Sequence, residues 1–231
     1  MRTYKIHLIR HGLTNANRRG IYCGSTDLPL DPEGVTELHH LLDGATYPCV
    51  EWVFCSPLLR ATETAGILYP AIDIIEIENL REASFGEFEG KSMEELQSIP
   101  GYARFVTGDA EFLPRGAEPP DVFFHRSVSA GAAIIDLMMK SGVHSAAIIT
   151  HASVIGNILA GMGYPKAAPT DWMCPPGGGY TVIADPTIFC RESVVEVVST
   201  LPENTKTETH SDEVDWDMVD WEDESLDDLM K

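Results

Sequence analysis

The sequence predicts an α/β fold, a three-layer sandwich in which helices cover both faces of a mostly parallel central sheet. Short apolar runs alternate along the chain with stretches of helical periodicity, which is typical of such sheets. One of these runs is followed by an arginine and a histidine and another by a histidine, where a strand of a simple buried core would end in turn residues. With 231 residues and 44% hydrophobic content, the chain is long enough for one sizeable domain.

Six short apolar runs are predicted to be strands. Each is four to six residues long, which favours a strand over a helix. They lie at Tyr4 to Ile9, Trp52 to Cys55, Ile72 to Ile77, Ala146 to Thr150, Tyr180 to Ala184 and Val194 to Ser199.

Helical periodicity predicts five helices between these strands. They lie at Pro32 to Leu42, Leu58 to Leu68, Met93 to Ser98, Asp121 to Lys140 and Ser153 to Ala160. The pattern is clearest in the fourth, where apolar residues recur at helical spacing until Gly142 ends them.

Two segments fall outside this alternation. The stretch from Tyr102 to Pro120, rich in Gly, Pro and charge, is predicted to be a surface excursion that acts as a lid, with Tyr102, Phe105 and Phe112 in the wall facing a leaving group. The catalytic domain is placed at residues 1–201, and residues 202–231 form an acidic, flexible tail. If the tail folds on a protein partner, Val214, Met218 and Trp221 form one apolar stripe.

Charge and cysteine content narrow the class of protein. The net charge is −20, and half of it lies between Glu203 and Lys231, where twelve acidic and two basic residues occur. Such charge argues against nucleic acid or an anionic membrane as a partner. The five cysteines form no C-x-x-C pair, the first residues leave no room for a signal peptide, and no uninterrupted apolar run approaches membrane-spanning length. A cytoplasmic location is therefore expected.

The two histidines at strand ends are the first candidates for chemistry. In "LIRHG" an apolar strand runs into Arg10, His11 and Gly12, and in "AAIITHAS" another ends at His151. Open α/β sheets bind ligands outside the carboxyl ends of their strands. Both imidazoles are therefore predicted to face one site.

An arginine and a carboxyl group follow the next strands. Arg60 lies in the first turn of a helix in "CSPLLRATETA", and guanidinium groups bind oxyanions with several donors at fixed geometry. Glu82 follows in "LREASFGEFEG", where oxyanions nearby would favour its protonated form and allow it to donate a proton. No H-E-x-x-H or Walker A motif occurs, so no metal site and no cofactor are predicted.

These blocks resemble the histidine phosphatase superfamily, in the branch that contains phosphoglycerate mutases and many small phosphatases. The similarity runs through "LIRHGLTNAN", "GSTDLPLDPEG", "SPLLRATETA", "LREASFGEFEG", "PRGAEPPDVFFHR" and "IITHAS" in order, and leaves the tail unmatched. It implies a phosphoglycerate mutase-like fold.

The resemblance also implies residue roles. His11 would carry the phosphoryl group, Arg10, Arg60 and His151 would surround its oxygens, and Glu82 would protonate the leaving group and later activate water. Contacts to the substrate are expected from residues in or next to the first two blocks: Gly12, Thr14, Asn17, Cys23 and Gly24. The predicted substrate is a small phosphorylated metabolite.

Several points separate this sequence from the family pattern and leave alternatives open. Cys23, Ala152 and Pro119 stand where the family often has glutamine, glycine and serine, which affects substrate contacts rather than chemistry. The segment "ASFGEFEG" is similar to the phosphatase form rather than the mutase form, so hydrolysis is predicted. The alternatives are mutase-type phosphoryl transfer and a phospho-ligand binding module without turnover.

Overall fold

The computed structural model describes residues 3–204 apart from residues 108 and 110. The strands, in chain order, are β1 (Tyr4–Arg10), β2 (Ala45–Thr46), β3 (Trp52–Cys55), β4 (Ile74–Glu76), β5 (Ser145–Thr150), β6 (Gly163–Tyr164), β7 (Gly179–Ala184), β8 (Val195–Leu201) and β9 (Glu203–Asn204). The α-helices are α1 (Asn15–Arg18), α2 (Pro32–Gly44), α3 (Leu59–Leu68), α4 (Met93–Gln97), α5 (Tyr102–Val106), α6 (Pro120–Ser141), α7 (Ala152–Met162) and α8 (Pro186–Glu192). Short 3-10 turns cover Glu78–Leu80, Gly86–Phe88 and Pro169–Trp172.

The central sheet has seven strands in the order β4-β3-β5-β1-β7-β8-β6. The strands β4, β3, β5 and β1 run parallel to one another, whereas β7 is antiparallel to both β1 and β8. The carboxyl ends of four adjacent strands therefore meet at one edge of the sheet. This arrangement confirms the predicted mostly parallel sheet.

Helices cover both faces of the sheet, as predicted for a three-layer sandwich. Ile6 and Leu8 of β1 belong to the core cluster that includes the buried faces of α6 and α7. Ile9 of the same strand belongs to the second cluster, with α2 and α3. Because alternate side chains of a strand point to opposite faces, one strand contributes to both cores.

All six predicted strands and all five predicted helices are present, with ends that shift by up to two residues. The short elements α1, α5, α8, β2, β6 and β9 were not predicted. Helix α5 lies within the predicted surface excursion and is only five residues long. Its buried Tyr102 packs with Phe88 and Leu96 in a small separate cluster. Helices this short are stabilised by tertiary packing, which local periodicity does not reveal.

The described structure extends slightly past the expected end of the catalytic domain. Strand β9 pairs with β2, so described structure continues past residue 201 to residue 204. Residues 205–231, which include the predicted Val214, Met218 and Trp221 stripe, lie outside the described residues.

By length and composition alone, α6 is long and apolar enough to cross a membrane. Core helices pass the same test, and α6 packs against β1 and α7.

Candidate active site

Three adjacent parallel strands bring two histidines and a serine to one edge of the sheet. His11 follows β1, His151 follows β5, and Ser56 follows β3. The two imidazole rings lie 5.1 Å apart between centroids, and both residues are almost fully buried. The two histidines predicted at strand ends are therefore neighbours.

The His11 ring is held in one orientation by its own backbone neighbour. Its Nδ1 lies 2.7 Å from the carbonyl oxygen of Gly12, so Nδ1 carries the proton and donates it there. The N–H of Gly12 in turn donates to Thr64 Oγ1 at 2.9 Å. A Cβ at Gly12 would lie 2.7 Å from Leu38 Cδ1, which explains the glycine. The lone pair of Nε2 is left available.

Burial and nearby arginines keep both imidazoles neutral. Burial, followed by the charge of Arg60, lowers the pKa of His11 to about 3. Burial and the neighbouring His11 and Arg60 also hold the pKa of His151 well below its ordinary value. Ser56 Oγ lies 2.9 Å from His151 Nε2, while the buried Nδ1 has no hydrogen-bond partner among the described residues.

Two guanidinium groups beside the histidines are fixed by backbone carbonyls. Arg10 Nη1 donates to Cys174 O at 2.7 Å, and its buried Nε has no partner in the described structure. Arg60 is only 2% exposed and donates to Gly24 O at 2.8 Å and Thr26 O at 2.9 Å. Fixed donors of this kind are preorganised for an anion.

The loop that holds Arg60 is itself held by Glu89, a residue that sequence reasoning missed. The Glu89 carboxylate accepts hydrogen bonds from the N–H groups of Gly24, Ser25 and Phe85, and from the Thr26 hydroxyl. Burial alone would raise the pKa of Glu89, but these bonds outweigh burial and keep the pKa below its ordinary value. The block "ASFGEFEG" contained Glu89, yet nothing in its spacing pointed to this loop.

Glu82 lies beside this cluster with its carboxyl group buried. Its Oε1 accepts from the N–H of Ala83 at 2.9 Å. Burial raises the pKa of Glu82 above its ordinary value, against the opposing effects of the Ala83 N–H and Arg60. Arg126 fixes the backbone here, because its Nη2 donates to Glu82 O at 3.2 Å and its Nε pairs with Glu118 at 2.6 Å. The sequence analysis predicted neither the contact of Arg126 with the Glu82 backbone nor its ion pair with Glu118.

The residues predicted to contact the substrate do not all lie in the cluster of histidines, arginines and Glu82. The oxygen of the Asn17 amide accepts from the N–H and hydroxyl of Thr14, so these two residues cap α1. Neither is hydrogen-bonded to His11, Arg10, Arg60, Glu82 or His151 among the described residues. Cys23 is half-buried near Arg60, and burial raises the pKa of its thiol. Gly24 is buried against Ala83, where a Cβ would lie 1.9 Å from the carbonyl oxygen.

The assembled cluster has the chemistry of a site for a tetrahedral oxyanion. It combines a neutral imidazole with a free lone pair, two fixed guanidinium groups and a buried carboxyl group of raised pKa. Arg10 Nε and His151 Nδ1 are buried and unpartnered in the part of the chain that the structure describes. An unpaired buried donor costs about 1–3 kcal/mol, and the oxygens of an anion satisfy such donors.

Comparison with known proteins agrees with this chemistry. Residues 6–184 match the model of the histidine phosphatase superfamily (branch 1). An adenosylcobalamin/alpha-ribazole phosphatase of Salmonella typhimurium is 29% identical over 68% of this chain and 78% of its own length. A 2,3-bisphosphoglycerate-dependent phosphoglycerate mutase of Nautilia profundicola is 29% identical over 44% of this chain and 48% of its own.

The fold is also similar to that of a solved phosphoglycerate mutase. The crystal structure of the enzyme from Bacillus anthracis superposes with a TM-score of 0.69 and 18% identity, over 86% of this chain and 92% of that chain. This likeness confirms the predicted phosphoglycerate mutase-like architecture. Phosphatases and mutases both occur among the relatives, so the family match alone does not choose between the two reactions.

Proposed function

Because this chain belongs to the histidine phosphatase superfamily, branch 1, we propose that it hydrolyses small phosphate monoesters through a phosphohistidine formed on His11. One observation carries the proposal: two buried nitrogens beside the His11 ring, Arg10 Nε and His151 Nδ1, lack partners among the described residues. His151 Nδ1 is a donor in the tautomer whose Nε2 accepts from the Ser56 hydroxyl. A phosphoryl group bonded to His11 would present oxygens to both. The family supports a phosphatase role, and the roles of individual residues below are part of the proposal.

His11 is the proposed nucleophile. Its Nδ1–H is donated to Gly12 O, so Nε2 carries the lone pair that attacks phosphorus. With a pKa of about 3, the ring is unprotonated at neutral pH and needs no base to activate it. The new P–N bond forms as the bond between phosphorus and the ester oxygen breaks.

Arg10, Arg60 and His151 are the proposed ligands of the phosphoryl oxygens. Charge in phosphoryl transfer is spread over the three equatorial oxygens, so fixed positive groups supply most of the rate enhancement. Hydrogen bonds to backbone carbonyls already hold both arginines in place. The protein therefore has little to reorganise as the transition state forms.

Glu82 is the proposed acid and base. Its raised pKa favours the protonated carboxyl group, which gives its proton to the departing ester oxygen and releases an alcohol. The carboxylate then takes a proton from water as that water attacks phosphorus. The P–N bond breaks, inorganic phosphate leaves, and both His11 and Glu82 return to their starting forms.

Hydrolysis of 4-nitrophenyl phosphate in the presence of EDTA tests this function. We expect the wild-type protein to release phosphate with chelator present, and His11→Ala to lose at least about 10³-fold in kcat/KM. His40→Ala, a change to an exposed histidine on α2, is the control and should leave the rate unchanged. Absence of turnover by the wild type would contradict the proposal and favour a binding module. Equal rates of hydrolysis by wild type and His11→Ala would contradict the role of His11 as the nucleophile.

Mutase activity is the second candidate, because mutases occur among the relatives. Incubation with 3-phosphoglycerate and 2,3-bisphosphoglycerate distinguishes it. We expect slow release of inorganic phosphate and no isomerisation to 2-phosphoglycerate. Isomerisation faster than phosphate release would show that water is excluded from the phosphoenzyme and that the chain is a mutase.

A further inference from the structure

A cavity of about 570 Å³ opens beside Glu82 and extends away from the cluster of His11, Arg10, Arg60 and His151. Its size falls within the range of small-molecule sites. Because Glu82 is the proposed proton donor to the ester oxygen, the rest of the substrate should occupy this cavity. We call it the alcohol pocket. Much of its surface is aromatic, contributed by four phenylalanines: Phe85, Phe105, Phe112 and Phe123.

The charged residues of the alcohol pocket are all acidic. Glu82, Asp109, Glu118 and Asp121 line it, and none of its described lining residues is Lys, Arg or His. Asp109 is paired with Arg104 at 2.7 Å and Glu118 with Arg126 at 2.6 Å, so their charges are offset. Asp121 has no ion pair within the described residues. A second negative group on a substrate would therefore face Asp121 without a counter-charge.

The two arginines that pair with carboxylates of the pocket, Arg104 and Arg126, already have their charges offset by Asp109 and Glu118. Arg126 uses Nε and Nη2 on the Glu118 carboxylate, and Nη1 on the carbonyl oxygens of Asn79 and Arg81. Its guanidinium group is thus saturated by protein acceptors. Burying a second carboxylate or phosphate beside it would cost free energy that no described group of the pocket returns.

We propose that the alcohol pocket selects phosphate monoesters whose alcohol part is aromatic and carries no negative charge, with Asp121 as the residue that disfavours anionic substrates. This inference rests on the proposed function and specifies its substrate class. Phenylalanine edges and faces pack well against a flat apolar ring. In the proposed function, Arg10 and Arg60 bind the negatively charged phosphate. The alcohol pocket, in contrast, disfavours negative charge on the rest of the substrate.

Three aryl esters of matched size test the charge preference. These are 4-methylphenyl, 4-carboxyphenyl and 4-(aminomethyl)phenyl phosphate, each assayed for kcat/KM at low and at moderate salt. We expect the carboxyl ester to be at least about fivefold poorer than the methyl ester at low salt. The difference should shrink as salt rises, because the exposed Asp121 charge is screened over about 10 Å at 0.1 M. The aminomethyl ester should equal or exceed the methyl ester.

Asp121 variants show whether this residue is the cause. Asp121→Asn should bring the carboxyl and methyl esters within about twofold of each other, and Asp121→Lys should reverse their order. Asp136→Asn, a change to an exposed aspartate on the same helix outside the pocket, should preserve the wild-type ratio. Ratios within one variant are insensitive to any general loss of activity.

A second pair of esters tests the aromatic preference. The alcohols of 2-phenylethyl and ethyl phosphate leave with similar difficulty, and the first should have at least about tenfold higher kcat/KM because its ring is buried. Phe112→Leu, which keeps an apolar side chain, should reduce that preference about threefold.

The outcomes separate the two proposals. If the aryl esters are hydrolysed in a His11-dependent way but the carboxyl ester is as good as the methyl ester, the pocket inference is wrong and the proposed function stands. The pocket inference is equally wrong if Asp121→Asn leaves the ratio unchanged, or if phenylethyl and ethyl phosphate are hydrolysed equally well. If no ester is hydrolysed, the proposed function fails and this inference fails with it.

Discussion

The two halves of the site on either side of Glu82 are built in different ways. On one side, the side chains of His11, Arg10 and Arg60 are each hydrogen-bonded to a backbone carbonyl, and these groups lie at the edge of the sheet or in the adjacent helix α3. On the other side, the alcohol pocket is lined largely by phenylalanines and by loop residues between α5 and α6. In the first half, hydrogen bonds fix the positions of the functional groups. In the second half, the phenylalanines and acidic residues determine the shape and charge of the pocket. Under the proposed function, the first half would decide whether phosphate is transferred, and the second would decide from which alcohol.

The largest effect should follow a change in the fixed half. Arg60→Lys keeps the charge but cannot preserve both carbonyl contacts and a planar donor face, so kcat/KM should fall by about 10²–10³-fold for every ester. Arg191→Lys, at an exposed position on α8, serves as the control and should leave the rates unchanged. A loss that differs strongly among esters would show that Arg60 also acts in the alcohol pocket, and the division between the halves would fail.

Glu82→Gln should have a somewhat smaller effect that depends on the leaving group. We expect a loss of about 10²-fold for ethyl phosphate, whose alkoxide needs a proton, and a much smaller loss for 4-nitrophenyl phosphate. Equal losses for both esters would rule out proton donation by Glu82 as the reason for the effect.

The pH profile gives an independent check on Glu82. In the proposed mechanism the protonated carboxyl group is the active form in phosphorylation, so kcat/KM should fall as pH rises through its raised pKa. On the acid side, His11 with a pKa of about 3 should stay reactive far below neutral pH. Substrate phosphate also titrates near pH 6, so wild type and Glu82→Gln are compared on one ester. Only the wild type should show the additional alkaline decline, and a shared decline would contradict the assignment.

A smaller effect is expected from Glu89→Gln, which acts on the fixed half through the loop that holds Arg60. Loss of the charge weakens four hydrogen bonds, and we expect kcat/KM to fall about tenfold and the melting temperature to decrease. Glu94→Gln, at an exposed position on α4, should change neither. Glu89→Gln combined with Arg60→Lys should cost less than the sum of the single changes. Additive losses would mean that Glu89 acts only on stability.

The smallest effect should come from the acidic segment. Truncation after Asn204 keeps the pairing of β9 with β2 and should leave hydrolysis of a small ester within about twofold of the full chain. A large loss of turnover would show that residues 205–231 contribute to the site.

The sequence predicted the fixed half better than the alcohol pocket for a physical reason. His11 and His151 follow apolar strands, and the parallel sheet forces such strand ends together, so local pattern was enough to place them. Ser56 follows β3 in the same way and was within reach of that reasoning. Glu89 was not, because its partners at residues 24–26 come together with it only through the fold.

The alcohol pocket could be predicted from the sequence only in part. Of the three aromatic residues expected to form a wall in the segment from Tyr102 to Pro120, Phe105 and Phe112 line the pocket, whereas Tyr102 is buried in the cluster with Phe88 and Leu96. The small helix α5 of this segment was missed, because five residues carry too little periodicity to predict a helix. The ion pair of Glu118 with Arg126 joins the loop before α6 to the first turns of that helix, so Arg126 is not free to bind an anion in the pocket. Neither the Glu118–Arg126 ion pair nor its effect on the pocket can be predicted from the composition of the segment.

The most direct test of phosphoryl transfer through His11 is to trap the phosphoenzyme. Wild-type protein is mixed with a ³²P-labelled aryl phosphate, quenched within milliseconds in base, and digested to locate the label. We expect up to one base-stable, acid-labile phosphoryl group per chain on the peptide containing His11, and none in His11→Ala. Turnover without any such label, or label on the peptide containing His151 instead, would contradict the assignment of His11 as the nucleophile.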